Sequence, residues 1–348
     1  MKQLNPSQFL STLLTEGQAP VALVLHQSAD PDALGSAAAL ALLLQQHGDM
    51  NSQIYAEGLN RSANNVLKAF NLVVAAPENL AKHSTLVLVD LNNIEQMGDL
   101  AEYLPQTQFS TFCVDHHVPH KDLPTLVDYL LYSDKVRSTA ELVLQMWEAS
   151  GQTLPPDGAT QLAAGLVYDS RHFHIAMNTT FEHFNRLLHY GANYEQVLSL
   201  LFTPLDKSER MARLKAAKRV VVYDEFNLLI VVTTIRSYEA SACRALIGIG
   251  ADIAIACAVK KDEVRISARA TAAVGRDNRL DLAKDVMEPL GELIGGAGGG
   301  HPSAAGANGV ASSDQALGLA LQLLRKALKA HADSSKQHNG TATDGEDA

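Results

Sequence analysis

The stretch Val21-Ala-Leu-Val-Leu-His26-Gln-Ser-Ala-Asp30-Pro-Asp32-Ala-Leu-Gly35-Ser36, continued by the Ala/Leu-rich run to Gln46, decides the fold. Five apolar residues in succession, two of them valine, predict a strand buried on both faces at Val21–Leu25. The composition from Gly35 to Gln46 predicts a helix, halted near Gly48 where glycine suits a helix end. Strand, polar turn and helix in that order form the unit of a parallel sheet with helices on its faces. The unit recurs downstream, with strands expected at Gln53–Ala56, Ser84–Val89 and Phe109–Val114. Ser138-Thr-Ala-Glu141 then opens a helix to Ala149, because serine followed three residues later by glutamate is a capping box, and that motif needs no function to explain it.

Upstream, MKQLNPSQFLSTLL lacks the basic and then apolar order of a secretory signal and reads as a first helix. The longest apolar stretch, Ile247–Val259, is interrupted by Asp252 and falls short of the roughly 20 residues that a spanning helix needs. No membrane segment is expected, and the cytoplasm is the default location. The three cysteines, Cys113, Cys243 and Cys257, are far apart and form no C-x-x-C, which excludes a disulfide framework and a zinc ribbon.

The chain has 348 residues, 47% hydrophobic and 19% charged, enough for a sizeable core and more than one domain. Lys and Arg number 28 against 38 Asp and Glu, and the resulting charge of −10 argues against a basic surface that coats long nucleic acid. Further helices are expected at Asp157–Tyr168, from Phe181 to about Tyr190, and onward to Leu201. The run TPLDKSERMARLKAAKR is charged and strongly helix-forming, so residues 203–219 read as a helical linker after a first domain of residues 1–202. Residues 220–331 then form a smaller α/β domain, with strands at Val220–Tyr223 and Leu228–Thr233 and a helix at Tyr238–Ile247. A hairpin joins Ala251–Val259 to Val264–Ala270 across Lys260–Glu263. A helix at Leu280–Ile294 leads into the glycine-rich loop Gly295–Gly300, and a last helix spans Ser313–His331. Residues 332–348 have almost no apolar content and read as a disordered tail.

Three expected strands end directly in carboxylates or imidazoles: His26, Asp30 and Asp32 after the first, Asp90 after Leu86–Val89, and Asp115, His116 and His117 after Phe112–Val114. Ligands of open parallel sheets sit beyond the carboxyl ends of the strands, so these groups converge on one crevice. A single aspartate after a strand usually caps a helix, and Asp32 is placed to cap the Gly35 helix. Capping alone does not produce all three clusters together. Several aspartates in one pocket repel one another unless cations neutralise them, and hard oxygens mixed with neutral imidazoles suit Mn²⁺ or another first-row dication. A site for two divalent metals follows.

These motifs resemble the DHH family of phosphoesterases: H-x-x-x-D-x-D at His26–Asp32, Leu-Val-Asp90, Val-Asp115-His116-His117 and Gly-Leu-Val-Tyr-Asp169. Gly298-Gly-Gly-His301-Pro-Ser-Ala-Ala-Gly306 is similar to the glycine-rich motif of the DHHA1 subdomain. The resemblance implies a parallel-sheet DHH domain, a helical linker and a smaller α/β DHHA1 domain. It also implies a Mn²⁺-dependent hydrolase, with Mg²⁺ or Co²⁺ as substitutes, similar to oligoribonucleases and to phosphatases of 3′-phosphoadenosine 5′-phosphate. Carried over, the pattern puts His26 and Asp30 on one metal, Asp32, His116 and Asp169 on the other, and Asp90 between them. Asp115 stands behind the ligands and His117 faces the scissile phosphate. In the second domain Arg269 is the basic position for the nucleotide end, beside Gly298, Gly299, Gly300 and His301.

Two departures from the family pattern stand out: Pro31 replaces a common glycine, and Asp169 is followed by Ser-Arg-His where Thr-Gly is commoner. Arg171 and His172 are thereby candidates for substrate phosphate. The expected substrates are short RNA or dinucleotides, with no membrane partner and room for a homodimer. The alternatives are a phosphodiesterase of cyclic or linear dinucleotides in signalling, and a nucleotide-binding relative without catalysis.

Overall fold

The computed structural model describes residues 1–48, 50–104, 109–260, 263–277 and 280–339. Two compact units divide the chain, Met1–Thr203 and Pro204–Ala348.

In the first unit, strands β1 (Lys2–Gln3), β2 (Val21–Val24), β3 (Ser52–Tyr55), β4 (Thr85–Val89), β5 (Ser110–Asp115) and β6 (Tyr129–Tyr132) form one sheet in the order β1-β6-β5-β4-β2-β3. Every pairing in it is parallel. The chain builds outward from β2 to β3 and then returns to place β4 on the other side, so the order reverses at β2 and β4, where such sheets bind ligands. In register, Val24 lies beside Leu88 and Val89 beside Val114, which brings the exits of β2, β4 and β5 to one edge.

Both faces are covered, which is why the strands read as unbroken apolar runs. Leu23, Val87 and Phe112 pack into one cluster with Phe9, Leu40 and Trp147, while Ala22, Leu88 and Cys113 pack into the other with Leu80 and Leu130. The helices are α1 (Pro6–Glu16), α2 (Pro31–Gln46), α3 (Arg61–Ala69), α4 (Leu123–Leu126), α5 (Thr139–Ser150), α6 (Pro156–Asp169), α7 (Asn178–His189) and α8 (Tyr194–Leu201). Helix α2 starts at Pro31 and not at the expected Gly35, because Asp30 is the cap: its Oδ1 accepts from the N–H groups of Asp32 at 2.8 Å and Ala33 at 3.2 Å. Pro31 then occupies the first helical position, where its fixed φ and missing N–H cost nothing.

Helices α2 and α6 cross at backbone contact. A Cβ at Gly35 would lie 2.4 Å from the Gln161 carbonyl oxygen, and one at Gly165 would lie 2.7 Å from Asp32 Oδ1. Glycine at both places lets α6 come close enough to set Asp169, at its last turn, beside the start of α2.

In the second unit, β7 (Val221–Glu225), β8 (Leu228–Ile235), β9 (Ile253–Lys260), β10 (Glu263–Ala270), β11 (Ala297–His301) and β12 (Ala304–Val310) form a sheet ordered β11-β12-β10-β9-β8-β7. Only β8 and β9 pair in parallel among these strands. Its helices are α9 (Lys207–Lys218), α10 (Glu239–Gly248), α11 (Ala272–Asp277), α12 (Glu288–Leu293) and α13 (Ser313–Asn339).

Three sequence expectations change here. Helix α9, read as the linker, packs on this unit: Ala216 is fully buried and its carbonyl accepts from Thr233 Oγ1 at 3.0 Å. The glycine run forms an edge strand and not a loop, with Gly298 opposite Ala307 and His301 opposite Ala304. A Cβ at Gly298 would stand 1.7 Å from the Met287 carbonyl oxygen, so the glycine serves close packing as well as reach. The last helix continues beyond the expected end at His331 to Asn339; residues 340–348 of the expected tail, and residues 261–262 of the expected hairpin turn, lie outside the described residues. Among the described residues, no helix is long and apolar enough to cross a membrane.

Candidate metal centre

Asp90 sits where β4 ends, in a left-handed conformation with φ 57°. Aspartate tolerates that region better than most residues, and here it turns the carboxylate from the sheet into the crevice. The Asp90 N–H donates to the Val114 carbonyl at 2.9 Å, and Asp90 Oδ1 accepts from Thr139 Oγ1 at 2.9 Å. The residue is therefore held at its backbone by β5 and at its carboxylate by Thr139 before any ion arrives.

Around it stand three sets of ligand atoms, each set mutually within 4.8 Å: His26, Asp30 and Asp90; Asp32, Asp90, His116 and Asp169; and Asp90, Asp115, His116 and His117, of which the first two share only Asp90. His26 Nε2 is 3.9 Å from Asp90 Oδ2, and His116 Nε2 is 3.6 Å from Asp90 Oδ1 and 3.0 Å from Asp169 Oδ2. His26 Nδ1 lies 2.8 Å from the Gln27 carbonyl, an acceptor only, so Nδ1 carries a hydrogen and Nε2 is the nitrogen that could ligate a metal. His116 Nε2 is buried without a hydrogen bond of proper geometry. A buried imidazole nitrogen left unpartnered amid three carboxylates is the state expected of a metal ligand, and mixed oxygen and nitrogen donors fit first-row dications.

Asp32 reaches past its own helix. Its Oδ2 accepts from the Thr139 N–H at 2.6 Å and its Oδ1 from the Ala140 N–H at 2.9 Å, so it caps α5 while its remaining lone pairs face the centre. Asp115 is buried and accepts at Oδ1 from the His117 N–H at 2.8 Å and from His117 Nδ1 at 2.9 Å. That bond protonates His117 at Nδ1 and leaves Nε2 on the exposed side of the ring.

The charges are unbalanced without cations. Burial, with the like charges of Asp90 and Asp169, pushes Asp30 up to about 7, and the same causes raise Asp32 well above the usual carboxylate range. Burial pushes Asp90 upward too, but the hydrogen bond from His117 and the imidazoles of His116, His117 and His26 outweigh it and hold Asp90 low. Hydrogen bonds to Asp115 and Asp90 raise His117 to about 11. Protons thus stand in for missing positive charge.

Next to the cradle opens a cavity of about 750 Å³, lined by His116, His117 and Asp169 and also by Arg137, Arg171 and His172. Of the substrate candidates, Arg171 and His172 thus lie with the metal set. Arg269 on β10, opposite Ala304, and Gly298, Gly299, Gly300 and His301 on β11 belong to the second unit. Sequence reasoning missed Thr139 and Arg137. Arg137 precedes and Thr139 lies within the Ser138–Glu141 capping box, whose reciprocal bonds account for the local motif without reference to a site.

Residues 20–166 match the model of the DHH family N-terminal domain, and residues 230–330 match that of the DHHA1 domain. An uncharacterized protein of Methanocaldococcus jannaschii, MJ0988, is 31% identical over 291 residues, 83% of this chain and 86% of that protein. The bifunctional oligoribonuclease and PAP phosphatase NrnA of Mycoplasma genitalium is 26% identical over 159 residues, 45% of this chain and 48% of that protein. An exopolyphosphatase-related protein from Bacteroides fragilis shares the fold, with TM-score 0.66 at 16% identity over 94% of this chain and 97% of that one. With both domain models matched in order and a relative matched over most of its length, the chain belongs to the DHH/DHHA1 phosphoesterase family.

Proposed function

We propose that this chain is a Mn²⁺-dependent phosphoesterase that hydrolyses short oligonucleotides, dinucleotides included, and 3′-phosphoadenosine 5′-phosphate. The observation that carries the proposal is the sharing of Asp90 by two ligand sets, His26 with Asp30 and Asp32 with His116 and Asp169. Each set would hold one dication. Two dications bound there would supply Lewis acidity, make water a stronger acid and offset charge on a phosphoryl group.

The remaining residues orient the substrate. His117, held by Asp115, presents Nε2 toward the cavity as a donor to a phosphoryl oxygen, and Arg171 and His172 contact phosphate on the cavity wall. In the second unit, β11 is the edge of its sheet. The free N–H groups of an edge strand, with His301 and with Arg269 on β10, are the second unit's own candidates for binding nucleotide. The similarity to a protein named for oligoribonuclease and PAP phosphatase activity supports this substrate class. The charge of −10 supports short substrates over long ones, because a long polyanion gains little from such a surface. Three free, buried cysteines suit a reducing compartment, and we place the protein in the cytoplasm.

A time course with Mn²⁺ on 5′-labelled RNA of two, three, five and twenty-four nucleotides tests the proposal, with cyclic di-AMP, 3′-phosphoadenosine 5′-phosphate and pyrophosphate alongside. Fast mononucleotide release from the shortest RNAs supports it. Cleavage of the cyclic dinucleotide alone moves the protein to signalling, and no turnover of any compound with metal bound overturns the substrate class.

A further inference from the structure

We propose that the cavity beside the metal cradle is a subsite for a second phosphate of the substrate, held by Arg137, Arg171 and His172; the proposal deepens the phosphoesterase reading and rests on it. The cavity is continuous with His116 and Asp169, so a substrate whose reacting phosphate lies in the cradle extends directly into it.

The backbone gives the first reason. Arg171, His172 and Phe173 are three consecutive non-glycine residues in the left-handed region, with φ of 51°, 54° and 66°. Glycine is the low-cost residue for such a turn, and this sequence places long polar side chains there instead. The turn is held from within: the His172 N–H donates to the Val167 carbonyl at 2.8 Å and the Phe173 N–H to Ser170 Oγ at 3.1 Å. It is anchored from below by Phe173, which stacks on Phe181 and meets the edge of Phe184, with centroids 5.3 and 5.1 Å apart. Strain sustained in this way directly after Asp169 fixes the exits of Arg171 and His172 on the cavity wall.

Charge gives the second reason. Arg137 has its backbone tied down, its N–H donating to Glu141 Oε2 at 2.7 Å, and Glu141 is fully buried and bonded to His183 Nδ1 at 2.8 Å. Its guanidinium is exposed and, like that of Arg171, has no carboxylate partner among the described residues. Elsewhere Arg186, Arg213, Arg265 and Arg325 each pair with a glutamate, whereas several other surface arginines do not, so it is the shared cavity and not the lack of a partner alone that sets Arg137 and Arg171 apart. Two unpaired guanidiniums and an imidazole on one cavity wall match the several acceptor oxygens of a phosphomonoester. Asp134 is the one carboxylate of the lining besides Asp169, and the donors outnumber it.

The apolar side chains complete the subsite. Val118 is 81% and Ile175 42% exposed at the cavity, an environment that suits the sugar and base carrying the phosphate.

The test compares 5′-phosphorylated diadenosine (pApA) with unphosphorylated diadenosine (ApA) on the full chain, by equilibrium binding under EDTA and by turnover with Mn²⁺. The wild type is expected to prefer pApA at least tenfold in both. In Arg137→Ala combined with Arg171→Gly the preference falls to within about twofold of unity. The glycine leaves the melting temperature unchanged or raised, because it relieves the left-handed turn, and a substitution that merely unfolded the chain would lower it. Equal binding of the two ligands by the wild type, or a preference that survives the double substitution, overturns the subsite. A wild type that prefers pApA in binding and hydrolyses neither compound supports the subsite and overturns the phosphoesterase reading.

Discussion

Thr139 touches both halves of the cradle: its hydroxyl donates to Asp90 and its N–H to Asp32. A hydrogen bond to a charged group is worth about 1.5–3 kcal/mol, and partners of ligands shift metal affinity roughly 10–100-fold. Thr139→Val is expected to weaken Mn²⁺ binding by about tenfold or more in calorimetry, with Thr139→Ser restoring most of it. Unchanged affinity in the valine variant refutes this role. Asp90→Ala removes the group common to both ligand sets and is expected to abolish turnover. His301→Ala, exposed on β11, is expected to raise KM with kcat within about threefold; an equal loss of kcat in both variants contradicts that division of roles. The clustering of the candidate ligands was legible because carboxylates and imidazoles directly after apolar strands have few structural reasons to converge. Thr139 was not, since a serine three residues before a glutamate explains itself as a cap. Asp32 was legible as a candidate metal ligand, but the alternative reading of it as a cap named the wrong helix, because its partners are more than a hundred residues away.

At the scale of elements, the crossing of α2 and α6 decides whether Asp32 and Asp169 lie close enough to share an ion. Gly165→Ala gains helix propensity of about 1 kcal/mol. Against this, its Cβ would meet Asp32 Oδ1 at 2.7 Å and Asp32 Cα at 2.8 Å. Overpacking of that kind costs about 1–3 kcal/mol, so a lower melting temperature together with weaker Mn²⁺ binding is expected. A variant as stable as the wild type with intact metal affinity shows that the helices part without disturbing the cradle. The strands of the parallel sheet were readable from their apolar runs, and the exposed face of α9 was readable from its charge. Ala216, the contact that binds α9 to the second unit, is one small residue in a polar sequence and carries no such signal. The strand at Gly298–Gly300 was hidden for the opposite reason. Glycine weakens any strand, and only the pairing with β12 and the close Met287 carbonyl make one here.

For the whole molecule, the cradle couples metal, pH and stability. Asp30 is raised to about 7 in the folded chain, so its contribution to stability is fully present below the unfolded value of 3.8 and is lost as pH rises through 7. Asp32 is raised in the same direction, and His117, raised to about 11, loses its contribution only as pH climbs above its unfolded 6.5. Asp90 is lowered, and its contribution disappears only below 3.8, outside the range of interest. All three raised groups therefore act in one direction between pH 5.5 and 8, with the effect of His117 reduced because its ring is 58% exposed. The metal-free chain is expected to melt at a higher temperature at pH 5.5 than at pH 8. Mn²⁺ must displace those protons, so its stabilising effect is expected to grow with pH, and each ion bound at pH 6 should release protons detectable as a buffer-dependent heat. Calorimetry in two buffers of different ionisation enthalpy, with melting curves at both pH values, measures every part of this. A metal-free chain that is more stable at pH 8, or metal binding without proton release, would show that the buried carboxylates are ionised without cations, and the charge argument for a two-metal cradle would fail with it.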